Sequence, residues 1–357
     1  MLKRGIVLLF AVVSSCTAQE GSEHLNQIIE PYVASGRFMG TVLVTRDGHV
    51  LLDKGYGYAN LDWKIPNSPT TVFRLASLTK QFTAASILLL QQRGVLNIND
   101  PIRKYLPDAP KAWEKVTIYN LLTHTSGIPN YTTFPDQTTL EQFPITPMQL
   151  VARFWDKPLE FEPGEKYSYS NSGYAVLGYL IERLTGRSYG TFVEENIFQP
   201  LGMKHSHFGS DTAIVPERAS GYSPTPAGLV ARRQSSYTMS YSAGGLCSTS
   251  EDLKLWEDAL FSNRILSAAS VKEMMTPFKN GYALGLVTGT EGGLKLISHN
   301  GTAEGFSTQI TYYPADKLTV IVLANIGSPV VGELVTKLAA AVHAEASGPP
   351  AEQKSAP

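Results

Sequence analysis

VFRLASLTKQFTAASILLLQQRG, residues 72–94, places Ser77 and Lys80 three apart at the head of a segment in which, after Lys80, nothing breaks a helix before Gly94. Leu78, Phe82, Ala85 and Leu89 repeat at helical spacing, and Ile87, Leu88 and Leu90 fill much of the opposite side. The spacing predicts a helix inside a core, not on a surface, with Gly94 just past its end. Residues three apart on a helix are neighbours, so the lysine amine reaches the serine hydroxyl. A cation in the first turn opposes the helix dipole by roughly 0.3–1 kcal/mol, and burial adds to that preference for the neutral amine. A neutral lysine is what a general base for serine must be. The competing reading makes Ser77 an N-cap and Lys80 a solvated first-turn residue. Ser-x-x-Lys arises by chance about once in a chain of this length, so the pair needs partners elsewhere.

The chain of 357 residues, 43% of them hydrophobic, is long enough for one large domain or two. Its formal net charge is -1 and no long basic run occurs, so nothing argues for nucleic acid. Residues 1–18 read as a signal peptide: Lys3 and Arg4 precede an apolar run, Ile6 to Val13, that is too short to span a bilayer. Cleavage before Cys16 would leave a lipid anchor there as the protein's membrane contact, whereas cleavage after Ala18 would release it. Either way the chain is expected to be exported to the periplasm or cell envelope. Cys247 then stands alone, so folding proceeds without an internal disulfide, and Cys247 reads as a small buried hydrophobe, not a nucleophile.

Outward from the central helix, residues 26–35 suggest an amphipathic helix. Residues 40–46 and 49–58, joined at Asp47-Gly48, read as a β-hairpin. Thr117 and Thr146-Pro147 open further helices, residues 129–147 look like a long loop that overhangs a site, and another helix is expected from about Tyr174 to Leu184. After a helix over 250–261, the stretches 282–288, 294–299, 306–313 and 318–325 read as strands, with a closing helix from Val330 to His343 and a disordered tail over 344–357. The predicted class is α+β: an antiparallel sheet (24–70 and 241–343) flanked by N- and C-terminal helices, with a mostly helical insertion (71–240) and the site between them.

Three segments carry chemistry in that frame: Ser77 with Lys80, Tyr169 with Asn171, and His299-Asn300-Gly301 at a strand end. Together FRLASLTK (73–80), LLTHTSGIP (121–129), FEPGEKYSYSN (161–171), FQPLGM (198–203), SAGGL (242–246) and HNG (299–301) resemble, in order, the serine β-lactamase and penicillin-binding-protein superfamily, specifically its class C β-lactamase-like branch. That branch includes D-alanyl-D-alanine carboxypeptidases, D-aminopeptidases and esterases, and the likeness spans about residues 24–343. It implies a β-lactamase/transpeptidase-like fold, no cofactor, and an acyl-enzyme on Ser77 with Lys80 as base partner and Tyr169 as second acid/base. Asn171 would bind the acyl-side amide, the N–H groups of Ser77 and Thr302 would hold the oxyanion, and Gly301 would let substrate lie along the strand. His299 would contact substrate where class C β-lactamases carry Lys-Thr-Gly. A histidine near its usual pKa of about 6.5 supplies only partial charge there, which speaks against efficient β-lactam turnover but not against acylation.

The expected function is therefore hydrolysis of an amide or ester, a D-amino-acid peptide or small ester, with a true β-lactamase and a non-catalytic envelope peptide-binding protein as alternatives. The remaining candidates fail on context. His205 and His207 lack the spacing of a metallo-hydrolase motif, so no metal is expected. Ser188, within Gly-x-Ser-x-Gly at 186–190, follows a helix and not the buried strand that a nucleophile elbow requires.

Overall fold

The computed structural model describes residues 21–347; the leader expected over 1–18 lies outside the described residues, as does the tail beyond 347. Six strands form the main antiparallel sheet: β1 (Gly40–Arg46), β2 (His49–Tyr56), β3 (Val287–Glu291), β4 (Leu294–Ala303), β5 (Phe306–Tyr313) and β6 (Leu318–Ala324). Their spatial order is β3-β4-β5-β6-β1-β2. The two ends of the chain therefore meet in register, Gly40 opposite Ala324 and Arg46 opposite Leu318. Asp47 and Gly48 both take positive φ, 45° and 81°, the conformation a two-residue hairpin turn demands.

Period-two alternation sorts the two faces of the sheet. Val42, Val44, Val320 and Val322 meet Leu25 and Ile29 of α1 (residues 21–34) and Leu334 and Leu338 of the closing helix. Leu43, Ile321 and Leu323 point the other way, into a larger core shared with Phe82, Trp256 and Leu260. That core holds α2 (Thr79–Gln92), α3 (Asn171–Thr185), α4 (Tyr237–Gly244) and α5 (Ser250–Phe261). Every residue of α2 from Thr79 to Leu90 is buried, as its two-sided apolar pattern requires. The Phe82 ring lies 4.4 Å from that of Trp256 and 5.5 Å from that of Phe198. Phe82→Ala is expected to destabilise the fold by about 3–5 kcal/mol, seen as a fall in the urea midpoint; an unchanged midpoint would place the core elsewhere.

Five expectations are corrected. The strand expected over 282–288 starts at Val287: residues 282–286 form a turn in which Ala283 N–H bonds Leu286 C=O and Gly285 has φ 70°. β4 runs past His299 to Ala303, which puts His299, Gly301 and Thr302 on one strand. α3 begins at Asn171, three residues early, because the Ser170 hydroxyl caps it by accepting from Gly173 N–H. The closing helix, α6 (Val330–Ser347), takes in residues 344–347, where Ala-Glu-Ala favours helix, so the disordered tail cannot begin at 344. The 129–147 stretch is less loop-like than expected, with short helical turns at Tyr131–Thr133 and Gln137–Leu140. It is pinned by Tyr131, whose buried hydroxyl donates to Met239 C=O at 2.7 Å. A small sheet, Phe73–Arg74 with Leu246–Ser248 and His207–Phe208, was not anticipated; strands of two or three residues carry no periodic signal.

Candidate active site

Ser77 sits in a tight turn, Ala76–Leu78, immediately before α2. Ala76 takes φ 49°, a left-handed conformation that costs an ordinary residue about 1–2 kcal/mol. The turn is held from both sides: Leu75 N–H bonds Leu246 C=O at 2.9 Å, and Thr308 Oγ1 donates to Leu75 C=O at 2.9 Å. As the start of a helical segment, Ser77 N–H has no partner within its own turn.

Lys80 is fully buried. Its Nζ lies 3.1 Å from Ser77 Oγ, 2.8 Å from Asn171 Oδ1 and 2.8 Å from Ala243 C=O. The last two oxygens only accept, so they take the two hydrogens of a neutral amine and leave its lone pair toward Ser77. Burial pushes the Lys80 pKa well down from its ordinary value, in agreement with that assignment. The opposite side of Ser77 Oγ receives the Tyr169 hydroxyl at 2.9 Å. Burial raises the Tyr169 pKa, and the Ser77 bond offsets this only in part, so Tyr169 is a phenol and a donor. Ser77 thus accepts from Tyr169 and donates to Lys80, a direction of hydrogen bonding that prepares it for attack.

Asn171, at the first turn of α3, is held through Nδ2 to Thr132 Oγ1 at 3.3 Å. Gly301 brings β4 against the Ser77 turn: a Cβ there would fall 2.2 Å from Leu75 C=O and 3.1 Å from Ser77 N. β3 pairs with β4 only as far as Ser298, so among the described residues the outer edge from His299 to Ala303 has no strand partner. Thr302 lies exposed on that edge. Gly301→Ala would drive the strand and the Ser77 turn apart, and is expected to lower kcat about 100-fold with the far-ultraviolet circular dichroism unchanged; full activity would show that this approach does not matter.

His299 corrects an expectation. It is 4% exposed and turned inward: Nδ1 donates to Asn300 C=O at 2.6 Å, so Nε2 accepts from Tyr282 OH at 3.1 Å. Burial lowers its pKa to about 3. The ring is therefore neutral at pH 7 and gives no partial cation to the cleft. The unfolded chain binds a proton on this ring below about pH 6.5, whereas the folded chain does so only near pH 3. Stability from His299 is therefore complete above 6.5 and lost as pH falls from there. The thermal midpoint is expected to fall over that range less steeply in His299→Gln than in wild type; parallel curves would contradict the neutral assignment.

The cleft over Ser77 is lined by Tyr131, Thr132, Asn171 and Met239, and by two carboxylates, Glu141 and Glu304. Burial and the neighbouring Glu304 charge raise the Glu141 pKa. Glu304 accepts from Ser235 Oγ at 2.8 Å. Among the described residues no lysine or arginine lines this cleft, although Arg232 acts on Glu141 from nearby. These acids, the Ala243 carbonyl and Thr132 escaped sequence reading, because nothing local marks them as facing Ser77. The rejected candidates lie elsewhere. Ser188 caps the helix Tyr189–Val193 by accepting from Thr191 N–H, and His207 sits on the short strand opposite Cys247. Cys247 is buried, which pushes its thiol up to about 11.

Residues 25–345 match the Beta-lactamase family, and the chain belongs to that family, within the β-lactamase and penicillin-binding-protein superfamily. It is 31% identical over 332 residues to Protein flp of Staphylococcus aureus (strain MW2), covering 89% of this chain and 66% of that protein. The chain thus spans about two thirds of that relative's length. It is 30% identical over 320 residues to the putative penicillin-binding protein PbpX of Bacillus subtilis (strain 168), covering 88% and 78%. Among solved structures, D-amino acid amidase from Ochrobactrum anthropi SV3, complexed with D-phenylalanine, superposes with a TM-score of 0.82 at 26% identity, covering 91% of this chain and 99% of the other. The octameric penicillin-binding protein homologue from Pyrococcus abyssi gives 0.80 at 29%, covering 90% and 77%.

Proposed function

We propose that this protein is a serine hydrolase that cleaves an amide or ester through an acyl-enzyme on Ser77. The observation that carries the reading is the donor sequence at one oxygen: Tyr169 OH to Ser77 Oγ at 2.9 Å, and Ser77 to the neutral Lys80 amine at 3.1 Å. As Ser77 Oγ attacks the carbonyl, its proton passes to Lys80. The oxyanion forms beside the N–H groups of Ser77 and Thr302, where preorganised donors lower the barrier. Tyr169 gives its proton to the leaving nitrogen or oxygen as the scissile bond breaks, and the Lys80 ammonium returns a proton to the phenolate. Water then enters and the relay runs in reverse: Tyr169 passes its proton to Lys80 while taking one from the attacking water, and the Lys80 ammonium returns a proton to Ser77 Oγ as the acyl bond breaks. Substrate backbone would extend along the open edge of β4, with its acyl-side amide on Asn171.

Two glutamates in the cleft and a neutral His299 favour a substrate with a free ammonium over one with a carboxylate. A D-amino-acid amide or ester fits that charge, and the D configuration rests on the likeness to D-amino acid amidase. β-Lactams and peptides ending in a free carboxylate fit less well. A panel of D-amino-acid amides, their N-acetyl forms, D-Ala-D-Ala peptides, a chromogenic cephalosporin and p-nitrophenyl esters tests this. Free-amine substrates are expected to exceed N-acetyl ones by about 10-fold or more in kcat/KM, a margin that shrinks in salt and in Glu304→Gln. Preference for the cephalosporin or the carboxylate-terminated peptide would overturn the substrate assignment. Export to the cell envelope belongs to the same proposal, on the strength of the basic and apolar leader in residues 1–18.

A further inference from the structure

His124, in LLTHTSGIP, lies against the catalytic tyrosine. Its backbone is left-handed, φ 56°, and its side chain is 1% exposed. Its carbonyl accepts from Ser168 N–H at 2.9 Å, and its Nδ1 accepts from Ser170 N–H at 3.1 Å. One residue therefore ties down both chain neighbours of Tyr169. Its ring also lies 4.3 Å from the Tyr169 ring, tilted by 37°, and 4.5 Å from that of Tyr282.

We infer that His124 is a positioning residue for Tyr169, acting as a neutral hydrogen-bond acceptor that fixes where the phenol meets Ser77. The inference rests on the proposed role of Tyr169 as the acid for the leaving group. Because Nδ1 accepts from an amide, the ring proton sits on Nε2, and a protonated ring would have no acceptor left. Among the described residues no side-chain or main-chain group accepts from the buried Nε2. The groups facing the ring agree with a neutral state: Tyr167, Tyr169, Tyr174 and Tyr282 enclose it, the neighbouring Lys80 and His299 are themselves neutral, and burial holds the His124 pKa well below its usual value. Displacing a catalytic group by even about 1 Å costs on the order of 100-fold in rate, so the Ser168 and Ser170 anchors matter to chemistry as well as to folding.

Two amide substitutions separate this role from simple packing. Asparagine places its Oδ1 where Nδ1 stands and tolerates the left-handed backbone; glutamine carries the same amide one carbon further out. His124→Asn and His124→Gln are compared with Tyr169→Phe on a D-amino-acid anilide and on the p-nitrophenyl ester of the same acid. The readouts are kcat/KM for the anilide and the burst rate for the ester, whose nitrophenolate leaves without a proton. His124→Gln is expected to lose about 100-fold on the anilide but less than about 10-fold in the ester burst, with His124→Asn within about 10-fold of wild type on both. If Tyr169→Phe shows that split and His124→Gln does not, whether it keeps full anilide activity or loses both reactions equally, the inference fails and the mechanism stands. If Tyr169→Phe itself shows no split, the mechanism beneath the inference fails.

Discussion

Ser77→Ala is expected to reduce turnover of amide and ester alike by roughly 10⁴- to 10⁶-fold. Ser77 Oγ is the atom on which Lys80 and Tyr169 both converge, at 3.1 and 2.9 Å; without it they have nothing to activate. Residual turnover would come from substrate held against the oxyanion donors and attacked directly by water. The side chain is half-buried, so its loss should leave the thermal midpoint nearly unchanged. Steady-state assays over the substrate panel check this, and activity within 10-fold of wild type would show that another group is the nucleophile.

Lys80→Met is expected to lower acylation about 10²- to 10⁴-fold, the range lost with a general base, and to change how stability depends on pH. The unfolded chain carries a proton on Lys80 below about pH 10.4, whereas burial keeps the folded amine neutral to a much lower pH. The native state therefore binds fewer protons between those limits, and stability falls as pH falls through them. Removing the amine should flatten that slope by up to about 1.4 kcal/mol per pH unit. The variant also leaves Ala243 C=O without its Lys80 donor, which offsets part of the gain. Urea unfolding from pH 6 to 10 measures the slope, and an unchanged slope would mean that Lys80 is charged in the fold. Lys80→Arg should be as inactive as the methionine variant, because a guanidinium does not deprotonate.

What was legible in the sequence was what local chemistry writes locally. Asp47-Gly48 announces its hairpin, and the apolar residues of 78–90 announce a helix that has no solvent face. Ser77 and Lys80 could be paired because both lie on one turn, while Tyr169, Asn171 and Gly301 came from the ordered motifs. Properties set by distant neighbours were hidden. His299 reads as a half-charged group until Tyr282, in a turn that resembles a strand, encloses it. Ala76 and His124 adopt left-handed backbone with no glycine to mark the place, and the Ala243 carbonyl that fixes the Lys80 lone pair is a main-chain atom, invisible to any residue pattern. Glu141 and Glu304, 163 residues apart in number, become neighbours only because the 129–147 stretch folds back over the end of β4.

The central claim is a covalent bond at one atom. Rapid acid quench of the wild-type protein turning over a p-nitrophenyl ester, followed by intact mass and peptide mapping, should find one acyl group per chain, on the peptide containing Ser77. The Ser77→Ala protein should carry none. An acyl group mapped to any other residue, or turnover by wild type with no covalent adduct at any quench time, would contradict the account.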